Sequence, residues 1–176
     1  NNIVILNRIR GIRLHDSEGN VLSENIISKN QYGLHIYHSM DNIISGSTIS
    51  NCTDGVWLID SNQTTIDANT ISFNSNYGLR LLNSSDNKIF HNNFVNNAIK
   101  NAEQPSNTSV MNTWDNFFEG NYWSDQNRKD TNKDGINDIP YITDQRTWLG
   151  IHSKDNYPLT GPFESLSLQF QNQSYP

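Results

Sequence analysis

A single cysteine, Cys52, stands in 176 residues, which rules out an intramolecular disulfide and leaves the redox compartment open on this count. Positive charge is scarce as well. Twelve Lys and Arg against 18 Asp and Glu give a net charge of −6 and a pI near 5.2, the wrong balance for a nucleic-acid binder, which carries a basic patch on a basic domain. No stretch approaches the roughly 20 consecutive apolar residues that a helix needs to cross a bilayer. The chain also lacks an initiator Met, and residues 2–10 (NIVILNRIR) read as the second half of a coil whose first half is absent. The expectation is a piece or processed form of a longer protein, in which a signal peptide would not be visible.

What the chain has in abundance is repetition. From their first glycines, four units follow one another: GIRLHDSEGNVLSENIISKNQY (11–32), GLHIYHSMDNIISGSTISNCTD (33–54), GVWLIDSNQTTIDANTISFNSNY (55–77) and GLRLLNSSDNKIFHNNFVNNAIK (78–100), a period of 22 or 23 residues. Aligning them gives apolar columns: Ile12, Leu34, Val56, Leu79; then Leu14, Ile36, Leu58, Leu81; then Leu22, Ile44, Ile66, Ile89; then Ile27, Ile49, Ile71, Phe94. The first two columns lie two residues apart, the period of a strand with one buried face. Asn20, Asn42 and Asn87 precede one strand and Asn25, Asn69 and Asn92 another, as expected of corners where Asn adopts left-handed backbone and bonds from rung to rung. Leucine-rich repeats share the period but need a helical or leucine-rich convex segment, which these β-branched, Asn-studded halves do not provide. The pattern therefore predicts an all-β, right-handed parallel β-helix over residues 1–101, with rungs about 4.8 Å apart. Cys52 shares the column of Asn30, Asn74 and Asn97, which fits a small buried corner residue better than a nucleophile. Sequons at Asn51, Asn62, Asn83, Asn107 and Asn172 suggest outward positions, although such triplets also arise by chance in a sequence rich in Asn and Ser.

After Asn101 the rhythm stops. Residues 102–163 carry Trp114, Phe117, Phe118, Tyr122, Trp123, Tyr141, Trp148 and Tyr157, and residues 164–176 form a tail. Aromatics at the end of a solenoid are expected to close its last coil, and a sugar-binding platform is the alternative use for them. Within this segment Asp130, Asn132, Asp134, Ile136 and Asp138, with Gly135 at the sixth place, follow the ligand order of an EF-hand-type loop, Ile136 giving its backbone carbonyl. The expected ion is a structural Ca²⁺. Tyr141 stands where the bidentate Glu belongs, so Asp125, Asp144 or water would have to complete the shell; the alternative is a solvated turn without an ion.

The repeats together with residues 120–125 (GNYWSD), 130–140 and 155–159 (DNYPL) resemble the NosD-like, or periplasmic copper-binding-protein-like, β-helix repeat family found among archaeal surface proteins. That resemblance spans almost the whole chain and implies a β-helix from an extracellular or cell-surface protein. It implies no single function, because the repeat class serves carbohydrate binders, sugar hydrolases and scaffolds alike. The family name suggests copper, for which His35, His38 and Met40 are the candidate ligands. His35 and His38 are three apart on a strand and its turn, which sends them in different directions and argues against a shared ion.

Between the inward columns lies an outward one: Arg13, His35, Trp57 and Arg80, beside His15, Tyr37, Ile59 and Leu82. Trp57 or Tyr37 could stack on a sugar ring while Arg13 and Arg80 pair with carboxylates or sulfates, which makes an extracellular polysaccharide the expected partner. The competing reading has the tail or a partner module covering this face. Just beyond runs the column Asp16, His38, Asp60, Asn83, in which Asp16 and Asp60 fall two rungs, roughly 9 to 10 Å, apart. That spacing permits an inverting glycosidase, so a polysaccharide-degrading enzyme is the alternative function. The paired-carboxylate motifs of polygalacturonase-like enzymes are absent, and a lyase would want a basic residue beside a catalytic calcium, whereas the calcium-type loop lies in the tail.

Overall fold

The structure, a computed structural model, describes residues 1–104, 111–143 and 153–164. Among these residues every regular element is a β-strand. Each coil lays one strand into each of three parallel sheets. The long-strand sheet stacks Arg10–His15, Tyr32–Tyr37, Asp54–Ile59, Tyr77–Leu82 and Lys100–Glu103. A second sheet stacks Val21–Ser23, Ile43–Ser45, Thr65–Asp67 and Lys88–Phe90. The third runs from Ile3–Ile5 through Ile26–Ser28, Thr48–Ser50, Thr70–Ser72 and Asn93–Val95 to Tyr122–Trp123. The protein is a parallel β-helix.

Register follows the apolar columns. Ile12 pairs with Leu34 and Leu34 with Val56; Leu22, Ile44, Ile66 and Ile89 align in the second sheet, and Ile27, Ile49, Ile71 and Phe94 in the third. From the second coil onward these side chains are buried, and in the first coil Ile12, Leu14 and Leu22 are half-buried while Ile27 is enclosed. Burying one such side chain is worth about 1.5 to 3 kcal/mol, so the axial column of Val, Ile and Leu is the main stabilising term. The glycine that opens each unit permits neighbouring coils to approach: a Cβ on Gly55 would lie 2.5 Å from the Gly78 carbonyl oxygen.

The corner asparagines bond from rung to rung as expected, Asn69 Nδ2 donating to Asn92 Oδ1 at 3.0 Å, but at these corners they do not themselves take the left-handed backbone. Left-handed backbone falls on the residue before each inward polar side chain: Glu24, Gly46, Ala68 and His91 precede Asn25, Ser47, Asn69 and Asn92, and Gly19, Asp41, Gln63 and Asp86 precede Asn20, Asn42, Thr64 and Asn87. The asparagines that follow turn inward and accept the backbone N–H of the rung below. Ser47 N donates to Asn69 Oδ1 at 2.9 Å, Asn69 N to Asn92 Oδ1 at 3.0 Å, and Asn92 N to Asn121 Oδ1 at 3.0 Å. Cys52 is buried at the equivalent place of a third ladder, its N–H donating to Asn74 Oδ1 at 2.9 Å. A fourth ladder is made of serines: Ser17, Ser39 and Ser61 each donate a backbone N–H to the hydroxyl of the next, ending at Ser84.

The coils do not end at Asn101. Lys100–Glu103 pairs with Tyr77–Leu82, Thr113 bridges Lys88, and Tyr122–Trp123 pairs with Asn93–Val95. A further coil thus runs to Trp123, beyond the boundary expected at residue 101. Its period is stretched: Asn87 reaches Asn112 across 25 residues and Asn92 reaches Asn121 across 29. Trp123 stacks on Phe94 with ring centroids 4.5 Å apart, Tyr141 stacks on Trp123 at 3.9 Å, and Trp114 leans against Trp123 at 5.9 Å. Phe117 and Phe118 take no part in this closure and stand 76% and 80% exposed. Trp148 lies outside the described residues. Asp155 pins the closure from within, accepting Asn121 N, Trp123 Nε1 and Tyr157 N at 2.7, 2.9 and 3.1 Å.

Candidate functional site

Alternation along the long strands turns Arg13, His35, Trp57 and Arg80 outward in register, and Glu103 continues the row. Beside it, Arg10, Tyr32 and Asp54 share a second outward row. These side chains pack on one another. The Tyr32 ring sits 5.5 Å from His35 and 5.2 Å from Trp57, and His35 meets Trp57 edge-on at 5.5 Å. The Arg80 guanidinium lies 5.5 Å over Trp57 and 5.0 Å over Tyr77, with Nε 3.2 Å from Glu103 Oε2 in an ion pair. Arg10 Nε donates to His35 Nδ1 at 3.1 Å. Burial first, then the charges of Arg10, Arg13 and His15, push the His35 pKa down, so His35 is a neutral acceptor. Burial pushes the Asp54 carboxyl up, against the Tyr77 N–H and Arg80. Trp57 Nε1 is buried without a hydrogen-bond partner among the described residues. The expected platform is therefore a self-packed wall of rings and guanidinium groups whose faces are largely engaged, with Arg13 exposed at its edge.

The accessible chemistry lies one step further, at the corner. Asp16, His38, Asp60 and Asn83 occupy equivalent left-handed positions, with φ of 47°, 47°, 47° and 48°. Stacking brings three of them together: His38 Nδ1 is 3.7 Å from Asp16 Oδ1, and His38 Nε2 is 3.4 Å from Asp60 Oδ2. His15 Nδ1 reaches Asp16 Oδ2 at 3.0 Å, and Tyr37 is stacked between His15 at 5.2 Å and His38 at 3.9 Å. Side-chain exposure of 63% at Asp16, 48% at His38 and 39% at Asp60 leaves the row open to a ligand. An inverting hydrolase keeps a water between its two carboxylates, whereas here the imidazole of His38 fills that gap. Such a row can accept hydrogen bonds from hydroxyls and exchange protons; it does not present the two-carboxylate geometry expected from spacing alone.

His35 and His38 have no neighbour in common: the first is held by Arg10 and Tyr32 on the wall, the second by the two corner carboxylates. Met40, at a bridge with Glu18 and Asn62, is 43% exposed. Among the described residues no group of three or more His, Cys, Asp or Glu side chains is placed to hold a metal ion. The fold thus turns His35 and His38 to different partners rather than to one another.

In the acidic loop the carboxylates serve the loop's own backbone. Asp130 accepts Asp134 N at 3.2 Å and Gly135 N at 3.0 Å, Asp134 accepts Asn132 Nδ2 and Ile136 N at 2.8 Å each, and Asp138 accepts Thr131 Oγ1 at 2.6 Å. The Thr131 hydroxyl, ahead of the other influences, lowers the Asp138 pKa. Asp125, expected to help complete a shell, accepts Asn101 Nδ2 at 2.7 Å and the Tyr141 hydroxyl at 3.1 Å. Asp144, the other such candidate, lies outside the described residues.

Sequence reasoning missed a second imidazole held between carboxylates. His91 is 3.2 Å from Asp67 Oδ1 and 3.0 Å from Glu119 Oε2, and Phe163 stacks on its ring at 4.2 Å. Only its corner position in the repeat was visible, since Glu119 and Phe163 lie 28 and 72 residues further along.

Stacked parallel coils with side-chain ladders at every corner define a β-helix repeat protein. The sequence matches the family described as periplasmic copper-binding protein (NosD) over residues 1–128, and the chain belongs to that family. Two solved structures are similar to it: the periplasmic alginate epimerase AlgG, at 22% identity and a TM-score of 0.42, and a mutant of the same enzyme, at 23% and 0.41. They cover 62% and 61% of this chain, which spans 29% of theirs. No curated protein matches the chain.

Proposed function

We propose that this β-helix is an extracellular or periplasmic module that contacts carbohydrate along one corner of the solenoid. The observation that carries the reading is the exposed row Asp16–His38–Asp60, with the stacked His15 and Tyr37 beside it and Arg13 on its flank. Carboxylates and imidazoles at successive rungs accept hydrogen bonds from hydroxyls, and the spacing of rungs, about 4.8 Å, approaches the length of one sugar unit in an extended chain. His35, Trp57 and Arg80 then act as the packed floor that fixes this edge, and Arg13 as a contact for a charged or hydroxyl-rich ligand. The family's periplasmic description supports the location.

Affinity electrophoresis against neutral and uronic-acid polysaccharides tests the reading. Retention that falls in Asp60→Ala and His38→Ala, with melting temperatures unchanged, is the expected result; retention indifferent to both variants would leave the structural-scaffold alternative. A polysaccharide-degrading enzyme is the second reading; it would have to use His38 itself rather than a pair of carboxylates with a water between them. Product analysis on any retained polysaccharide separates binding from turnover.

The proposal extends to a structural Ca²⁺ in the loop of Asp130, Asn132, Asp134, Ile136 and Asp138. Alternate oxygen-bearing residues around Gly135, whose φ is 87°, support it. The ion would replace backbone N–H groups as the partner of Asp130 and Asp134.

A further inference from the structure

The segment that follows Asp155 returns to the solenoid and is fastened at three places. Leu159 bridges Tyr122 and Ile136, and its N–H donates to the Asn121 carbonyl at 2.9 Å. Thr160 donates its N–H and its hydroxyl to the Gly135 carbonyl, each at 3.0 Å. Phe163 is then gripped by an outward side chain, Asn93, which mimics a neighbouring strand: Phe163 N donates to Asn93 Oδ1 at 2.6 Å and Asn93 Nδ2 donates to the Phe163 carbonyl at 3.0 Å. The Phe163 ring lies flat on His91, at 4.2 Å with an interplanar angle of 5°.

His91 is itself suspended. Nδ1 faces Asp67 Oδ1 at 3.2 Å, on the strand Thr65–Asp67, and Nε2 faces Glu119 Oε2 at 3.0 Å, in the turn before Gly120. Asn116 Nδ2 also lies 3.3 Å from Nε2, and Phe90 meets the ring edge-on at 5.0 Å. Asp67 and Glu119 are the charged groups within ion-pair reach among the described residues. Counting donors separates the two protonation states of the ring. Two carboxylates need two N–H groups, and only the imidazolium has both; a neutral ring sets a lone pair against one carboxylate. With Nδ1–H kept on Asp67, a neutral Nε2 can instead accept from Asn116, and Glu119 loses its partner. Burial pushes the Asp67 carboxyl up while His91 draws it down.

We propose that Asp67, His91 and Glu119 form a proton-operated latch that holds residues 159–163 against the side of the β-helix, closed when His91 carries both protons and loosened when it carries one. The charged ring ties the Asp67 strand to the Glu119 turn and presents a fixed, flat surface to Phe163. Loss of the second proton releases the Glu119 side, so the ring's tilt, and with it the Phe163 stack, is no longer fixed.

Hydrogen exchange at the Phe163 amide in the full chain, corrected for intrinsic rates, reads the latch directly. Protection should fall roughly fivefold from the acid to the alkaline end of the pH range over which the chain stays folded, the size expected for one partly exposed charge pair. Glu119→Gln should stay protected at both ends, since a Gln amide can accept from the imidazolium and donate to the neutral ring. His91→Asn keeps a residue suited to the left-handed corner and should be weakly protected, with a shallower pH dependence than the wild type. A wild-type profile shared by both variants, or protection that rises with pH in the wild type alone, would overturn the proposal. Should His91→Asn fail to fold, Glu119→Gln, at a half-exposed side chain, decides it alone.

Discussion

Asp155 is the residue whose chemistry bears most on stability. It is fully buried, and burial, outweighing the N–H donors around it, raises its pKa from 3.8 to about 6. A carboxyl whose folded pKa is raised favours folding in its protonated form. Its contribution is present below about pH 4 and is lost as pH climbs through 6, a swing of roughly 3 kcal/mol for two pKa units. Melting temperatures from pH 4 to 7 should therefore fall more steeply in the wild type than in Asp155→Asn, and parallel profiles would remove Asp155 as the cause. At the same scale, Asn69→Ala leaves the buried Ser47 N–H without its acceptor and should cost about 1 to 3 kcal/mol in chemical denaturation. Asn69→Ser, which copies the residue of the rung below, should cost less. Residue types alone disclosed the asparagine columns and their bonding from rung to rung, but not which position takes the left-handed backbone, because left-handed corners and inward ladders occupy adjacent positions in each unit and both draw on small polar side chains.

At the scale of the element, inward and outward faces were legible because a strand's side chains alternate. Leu58→Asp or Ile36→Asp places a charge in the dry axial column, where an unpaired carboxylate costs several kcal/mol. Circular dichroism should report an unfolded or aggregated chain for either, and a normal melt for Arg13→Ala. The wall was harder to read. Sequence spacing set Arg13, His35, Trp57 and Arg80 in one row, but not that Tyr32 and Tyr77, from the neighbouring row, would occupy the spaces between them. The last coil escaped because its ladders skip 25 and 29 residues: pairing survives such insertions, whereas periodicity does not.

For the molecule as a whole, the axial core and the order of the coils could be read from four aligned units, and the closure could not. Phe163 meets Asn93 across 70 residues, a contact that no local pattern encodes. Calcium tests how the closure is held. If the acidic loop binds the ion, a concentration of one hundred times the dissociation constant should add about 2.7 kcal/mol, seen as a higher melting temperature in Ca²⁺ than in EGTA and abolished by Asp134→Ala. Equal melts would leave the loop as a turn stabilised by its own hydrogen bonds.

One corner of this solenoid also has an electrical direction. From Asn2 through Asn25, Ser47, Asn69 and Asn92 to Asn121, each backbone N–H donates to the side chain of the next rung, always toward the same end. The final donor, Asn121, gives its N–H to Asp155 at 2.7 Å. Dipoles aligned in this way polarise one another and concentrate positive potential at the terminus they point to, as a helix does at its first turn. The buried carboxylate is thus the counter-charge at the end of a row of amides that runs from Asn2 to Asn121.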